Sequence, residues 1–195
     1  KDCFCSPFFC AQSDKMDLPK ETVHKVILLG EFGAGKSSLF MRLTSGMFDS
    51  SLSTDNAMKD VTKGKETVKL QLWDTAGQEC QNSLTSSYYN GTEVVVIVFS
   101  LTDKKTFENA ESWFSQAKRS ADDSATIIVV GTKADEPART VTAAEAAEFA
   151  NRHGVKYFEV SAKTGDGTDK LMDAIAEPFF PPEPDPDGPG PCRCC

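Results

Sequence analysis

Eight consecutive residues, Gly30-Glu31-Phe32-Gly33-Ala34-Gly35-Lys36-Ser37, fit the spacing G-x-x-x-x-G-K-S. Gly33 and Gly35 let the backbone curl so that successive N–H groups point inward, which makes a cradle for phosphate oxygens. A helix starting where the cradle ends adds partial positive charge. Lys36 brings a full charge to the outer phosphates, and the Ser37 hydroxyl is a hard oxygen suited to Mg²⁺. A second group is Trp73-Asp74-Thr75-Ala76-Gly77-Gln78-Glu79. Here Asp74 would hold Mg²⁺ through water, and the Gly77 N–H would meet a terminal phosphate. Gln78 both donates and accepts, so it would orient an attacking water. A third group is Gly131-Thr132-Lys133-Ala134-Asp135. The Asp135 carboxylate can accept from both the ring N–H and the exocyclic amine of guanine, and adenine offers neither on that edge. Such a site rejects adenine by roughly 10⁴ or more. The Lys133 stem can cover a base face. The backbone of Ser161-Ala162-Lys163 can reach the same base.

These groups need elements to carry them, and the hydrophobic pattern supplies them. VHKVILLG (23–30) is a short apolar run ending in glycine, as a buried parallel strand requires. Similar runs lie at 67–74, 93–101, 125–132 and 155–162. Each chemical group sits at the C-terminal end of such a run, where open α/β sheets bind ligands. Amphipathic stretches fall between the runs. Leu39, Phe40 and Leu43 mark one helix, and Leu171, Met172 and Ile175 another. Phe107, Ala110, Trp113, Phe114 and Ala117 predict a single longer helix. Ala143, Ala146, Ala147 and Ala150 predict a helix capped by Thr142, with Glu145 completing a capping box. Alternating strands and helices give a mostly parallel sheet with helices on both faces. A hairpin signal at Lys63-Gly64-Lys65 makes one neighbouring pair antiparallel.

The chain has 195 residues, enough for one globular domain with short tails. Acidic residues outnumber basic ones, 29 against 21 (net charge -8), which argues against a nucleic-acid partner. No apolar run reaches the roughly 18 residues of a membrane span. Six of the seven cysteines lie near the ends and only Cys80 is interior, the pattern of a reduced cytosolic protein rather than a disulfide framework. Residues 1–22 show no period and read as a disordered extension. Residues 179–195 are too rich in proline to fold. The domain is expected over 23–178.

Taken in order, GxxxxGKS, WDTAGQE, TKAD and SAK make the chain resemble a small GTPase of the Ras superfamily, most like its Rab branch, over roughly residues 23–178. The resemblance implies a P-loop G domain: a mostly parallel six-stranded sheet with one antiparallel strand. It implies GTP and GDP as substrate and product, with Mg²⁺ as cofactor. Gly33, Ala34, Gly35, Lys36, Ser37 and Ser38 would bind the nucleotide's phosphates, with Gly77 at the far end. Thr132, Lys133, Asp135, Ser161, Ala162 and Lys163 would bind its base, with Phe48 edge-on to guanine. Thr54 would join Ser37 and Asp74 on the metal, and Gln78 would be catalytic. Switch regions at 48–60 and 76–90 would meet an exchange factor, a GTPase-activating protein and effectors.

The end Cys192-Arg193-Cys194-Cys195 resembles a Rab double-cysteine terminus. Geranylgeranyl chains on Cys194 and Cys195 would imply an escort protein for prenylation and a lipid anchor on the cytoplasmic face of an intracellular membrane, within vesicle traffic. Two departures from the Rab pattern stand out. Thr132 replaces the usual asparagine, as in Rho-like signalling GTPases. Phe32 replaces a small residue beside the γ-phosphate and Gln78, where a benzyl group would compete with the attacking water and an arginine finger. That departure implies slow hydrolysis, or at the limit a non-hydrolysing GTP-bound scaffold.

Overall fold

The computed structural model describes residues 22–48, 55–75 and 86–181. Thr54, Gly77, Gln78, Cys194 and Cys195 lie outside these residues. Among the described residues there are six strands: β1 (Val23–Leu29), β2 (Asn56–Lys63), β3 (Glu66–Asp74), β4 (Thr92–Ser100), β5 (Thr126–Thr132) and β6 (Lys156–Glu159). They form one sheet in the order β2-β3-β1-β4-β5-β6. Only β2 runs antiparallel to its neighbour. The cause is local: β2 and β3 are joined by the two-residue turn Gly64-Lys65, with Gly64 at φ +64°, whereas each parallel pair needs a crossover.

The continuous apolar strands are buried on both faces, and their period of two sorts them. Val26 and Leu28 of β1, with Val94, Val96 and Val98 of β4, face one core. Ile27 and Leu29, with Val95, Ile97 and Phe99, face the other. Two helices cover the first face, α1 (Lys36–Ser45) through Leu39, Phe40 and Leu43, and the later α6 (Thr168–Ala176) through Leu171 and Ile175. A short helix, α2 (Ser86–Tyr89), precedes β4. The second face is covered by α4 (Ala110–Ser120) through Phe114 and Ala117, and by α5 (Ala143–His153) through Ala146 and Phe149. Each fully buried Leu, Ile or Phe contributes about 1.5–3 kcal/mol. The expected capping box on α5 is present: the Glu145 N–H donates to Thr142 Oγ1 (3.2 Å), and the Thr142 N–H donates to Glu145 Oε2 (2.9 Å).

Two expected elements differ. The single helix expected through Phe107 and Phe114 is broken into α3 (Lys104–Glu108) and α4 at Asn109. There the Asn109 N–H is shared between the Lys105 and Phe107 carbonyls. The last strand stops at Glu159 rather than running to 162. The Ser161 N–H turns away to the Asp166 carbonyl, and the Gly165 N–H returns to the Ser161 carbonyl. Ser161, Ala162 and Lys163 therefore stand on a loop.

Candidate functional site

The site is built where β1, β3 and β5 end. Gly30 leaves β1 at φ +151°, and a Cβ there would lie 2.1 Å from the Val98 carbonyl oxygen. β4 passes so close that only glycine fits. Lys36 opens α1 but is only 3% exposed. Its Nζ donates to the Gly30 carbonyl (3.0 Å) and the Glu31 carbonyl (2.9 Å). The ammonium is thus held inside the ring of its own loop. Half-buried Ser37 and Ser38 follow on the first turn of α1.

Asp74, the last residue of β3, lies level with Leu28 in the parallel register. The neighbouring Thr75 is fully buried, and its hydroxyl donates to the Leu28 carbonyl (2.7 Å). These contacts bring the Asp74 carboxylate, 8% exposed, beside the start of the loop. A serine hydroxyl and one carboxylate are hard oxygen donors, too few for a metal alone. Among the described residues no three Asp, Glu, His or Cys side chains converge. That set fits Mg²⁺, which keeps waters and shares its shell with substrate phosphates.

A cleft of about 450 Å³ extends from Gly35 past Phe48 to Asp135. Ser38, Thr132, Lys133, Ala162 and Lys163 complete its expected walls. Asp135 Oδ1 accepts from the Ser161 hydroxyl at 2.7 Å, and that hydroxyl accepts from the Thr164 N–H at 3.1 Å. The Ser161 bond holds the Asp135 carboxyl below its ordinary range; burial opposes this, and Lys163 Nζ at 3.9 Å assists. A carboxylate so fixed is a charged acceptor in the wall of the cleft.

The neighbouring residues brace the phosphate loop. Lys133 takes φ +60°, unusual for a residue with a Cβ. Its Nζ donates to the Gly33 carbonyl at 3.0 Å. Thr132 is 2% exposed, and its single hydroxyl proton serves the Ala34 carbonyl or the Phe99 carbonyl. The threonine that departs from the resembling pattern is thus a tie between β5 and the loop. Phe48 lines the cleft with 53% of its surface still exposed. Phe32 is 75% exposed, so its ring does not fill the space expected of it beside the outer phosphates.

Sequence reasoning missed several contributors. Thr102, Glu136 and Ala138 line the cleft, from positions that carry no motif. Arg42 donates through Nε to the Ala162 carbonyl (2.5 Å) and through Nη2 to the Lys163 carbonyl (2.7 Å). Its only signal was one arginine beyond Lys36 in a helix of apolar and hydroxyl-bearing residues. Thr54, Gly77 and Gln78 lie outside the described residues, so no geometry attaches to them.

Comparison with known proteins gives the family. The Ras family profile matches residues 25–180. The chain is 36% identical over 161 residues to Ras-related protein SEC4 of Saccharomyces cerevisiae, covering 80% of this chain and 75% of that protein. It is 38% identical over 167 residues to Ras-related protein RabC of Dictyostelium discoideum, covering 82% and 85%. It is 38% identical over 157 residues to GTP-binding protein YPTM2 of Zea mays, covering 78% and 77%.

Proposed function

The chain belongs to the Ras family, and from that premise we propose how its residues make a Rab-like switch that binds and hydrolyses GTP. The observation that carries the reading is the Asp135–Ser161 pair, set across one cleft from the Gly35 end of the phosphate loop. Base and phosphates are then read by two ends of one space. Asp135 accepts from the guanine ring N–H and amine, while Lys133 and Phe48 flank the ring. The loop N–H groups and Lys36 bear the β- and γ-phosphates. Ser37, Asp74 and Thr54 would hold Mg²⁺, which neutralises charge on the transferred phosphoryl group when bound. Gln78 orients the attacking water, and Gly77 senses the γ-phosphate.

The GTPase domain is assigned to 23–178, with 1–22 as an extension and 179–195 as a tail bearing the lipid sites. Segments 48–60 and 76–90 would change with the γ-phosphate and so meet exchange factor, activating protein and effectors. No helix among the described residues is long and apolar enough to cross a membrane. Attachment in vesicle traffic is assigned to two prenyl chains on Cys194 and Cys195, delivered by an escort protein. One chain holds only reversibly, whereas two anchor stably.

Chromatography of the nucleotide released from purified protein tests the base assignment. GDP or GTP is expected; an adenine nucleotide would refute it. Replacing Cys194 and Cys195 by serine should move the protein from the membrane pellet to the soluble fraction. Continued pelleting would place the anchor elsewhere.

A further inference from the structure

The phosphate loop is tied at three successive points to other elements. Two ties, Lys133 to Gly33 and Thr132 to Ala34, come from the base-binding strand end. The third comes from the opposite side. Asn109 Nδ2 donates to Glu31 Oε2 at 2.8 Å, across 78 residues of sequence. Asn109 occupies the break between α3 and α4, so the interruption of that helix and the tie to the loop occur at one residue. The other oxygen of the same carboxylate, Oε1, faces the Phe32 N–H at 3.4 Å. The Glu31 carbonyl accepts from Lys36 Nζ (2.9 Å) and from the Ala34 N–H (3.2 Å). Glu31 is therefore fixed through both side chain and backbone.

Phe32 follows directly, and its ring is 75% exposed. Lys36 Nζ lies on the carbonyls of residues 30 and 31. Since that ammonium serves the outer phosphates, residue 32 borders the end of the loop where the γ-phosphate and attacking water meet. An aromatic ring on a glycine-rich loop loses exposed apolar area by folding back against that loop. In the structure it does not. Both neighbours of Phe32 are held from outside the loop, Gly33 through its carbonyl by Lys133 and Glu31 through its side chain by Asn109. Glu31 is the one whose held carboxylate also accepts from the Phe32 N–H.

We propose that Asn109, through Glu31, is a positioning residue that holds the Phe32 ring away from the outer-phosphate position and so keeps GTP hydrolysis possible in spite of that ring. The inference rests on the GTPase reading above. The clamp is one hydrogen bond to a charged group, the stronger kind of hydrogen bond. Its loss is enough to invert a modest conformational preference.

The test is single-turnover hydrolysis of preloaded GTP by full-length parent, Asn109→Ala, Phe32→Gly and the double variant. Asn109→Ala should be slower than parent by roughly three- to tenfold. The double variant should match Phe32→Gly within about twofold, because there is no ring left to hold. An unchanged rate in Asn109→Ala, or an equal slowing in both backgrounds, would overturn the proposal. A second measurement does not depend on rate: 4-fluorophenylalanine at position 32 followed by fluorine NMR. The signal should keep one solvent-exposed shift in the parent when GDP is exchanged for a non-hydrolysable GTP analogue. It should move in Asn109→Ala. Equal signals in the two proteins would overturn the clamp. The nucleotide bound by the parent reports separately on the GTPase reading.

Discussion

At the end of the cleft assigned to the base, the groups on offer are side chains held by hydrogen bonds; at the end assigned to the phosphates they are mostly backbone. The Ser161 hydroxyl donates to Asp135 at 2.7 Å, and Arg42, from a third segment, donates to the carbonyls of Ala162 and Lys163 at 2.5 and 2.7 Å. The phosphate loop offers N–H groups and one buried lysine bonded to its own carbonyls. The two ends are not independent, because Thr132 and Lys133 reach from the base strand to Ala34 and Gly33. The difference teaches where each end is fragile. A loop made of backbone fails when a Cβ is added, and a network of side chains fails when a polar atom is removed.

The largest effect should come from breaking the backbone end. Gly30→Ala drives a methyl into the Val98 carbonyl, 2.1 Å away. Even with relaxation this should cost about 3 kcal/mol or more, a fall in melting temperature of about 10 °C for a domain this size. Gly64→Ala is the control. It has a positive φ of 64° but nothing within 4 Å of the added methyl, and should cost only about 1–2 kcal/mol. Equal losses in the two variants would mean that the close approach of β4 is not what fixes the loop.

Next comes the charged acceptor. Asp135→Asn exchanges a double acceptor for a group with one acceptor and two donors. GTP affinity should fall roughly 10²–10⁴-fold, because one bond is replaced by a donor facing a donor and the other loses its charge. Affinity for xanthine nucleotides, whose exocyclic oxygen replaces the amine, should rise. Unchanged GTP binding by titration would remove Asp135 from the site.

A smaller effect sharpens the same end. Ser161→Ala removes one bond to the carboxylate and should weaken GTP binding about tenfold. It should also change the pH profile. The Asp135 carboxyl is held below its ordinary range chiefly by this hydroxyl. A depressed carboxylate contributes above its ordinary value and loses that contribution only as pH falls through the depressed one. Guanine affinity in the parent should therefore stay flat further into acid than in Ser161→Ala. Coincident profiles would deny the hydroxyl its role.

The smallest effect lies away from the cleft. Glu145 is drawn down to about 2 by Lys104 first and then by the Thr142 backbone and hydroxyl. Its contribution to α5 is complete above the ordinary carboxylate value and lost between there and pH 2. Glu145→Gln should lower the melting temperature slightly at pH 7, and the gap should close on acidification through that window. GTP affinity should not follow it, which separates the stability of the scaffold from the chemistry of the cleft.

Much of this was legible in the residues. Val26 to Leu29 read as a doubly buried strand, and their alternate residues do face opposite cores. Thr142 and Glu145 read as a capping box because three-residue spacing is local. The helix break at Asn109 was not legible, since its apolar residues kept a helical period across it. At the break the Asn109 side chain donates to a carboxylate 78 residues earlier. Arg42 stayed hidden for the same reason: its acceptors are the carbonyls of Ala162 and Lys163, 120 and 121 residues away.

By itself the sequence determined the chemical inventory: a phosphate-loop motif, a glutamine and a carboxylate in motifs of the Ras family, and the strand ends that carry them. Motif spacing and hydrophobic period are local properties, and a linear chain displays local properties directly. Only the tertiary structure decided what those groups touch. It turned Thr132 into a brace for the loop, fixed Asp135 through Ser161, and set Phe32 out in solvent beside a clamped Glu31. These outcomes depend on which distant donors the sheet order brings within about 3 Å of an acceptor, and that distance exists only after the strands have paired.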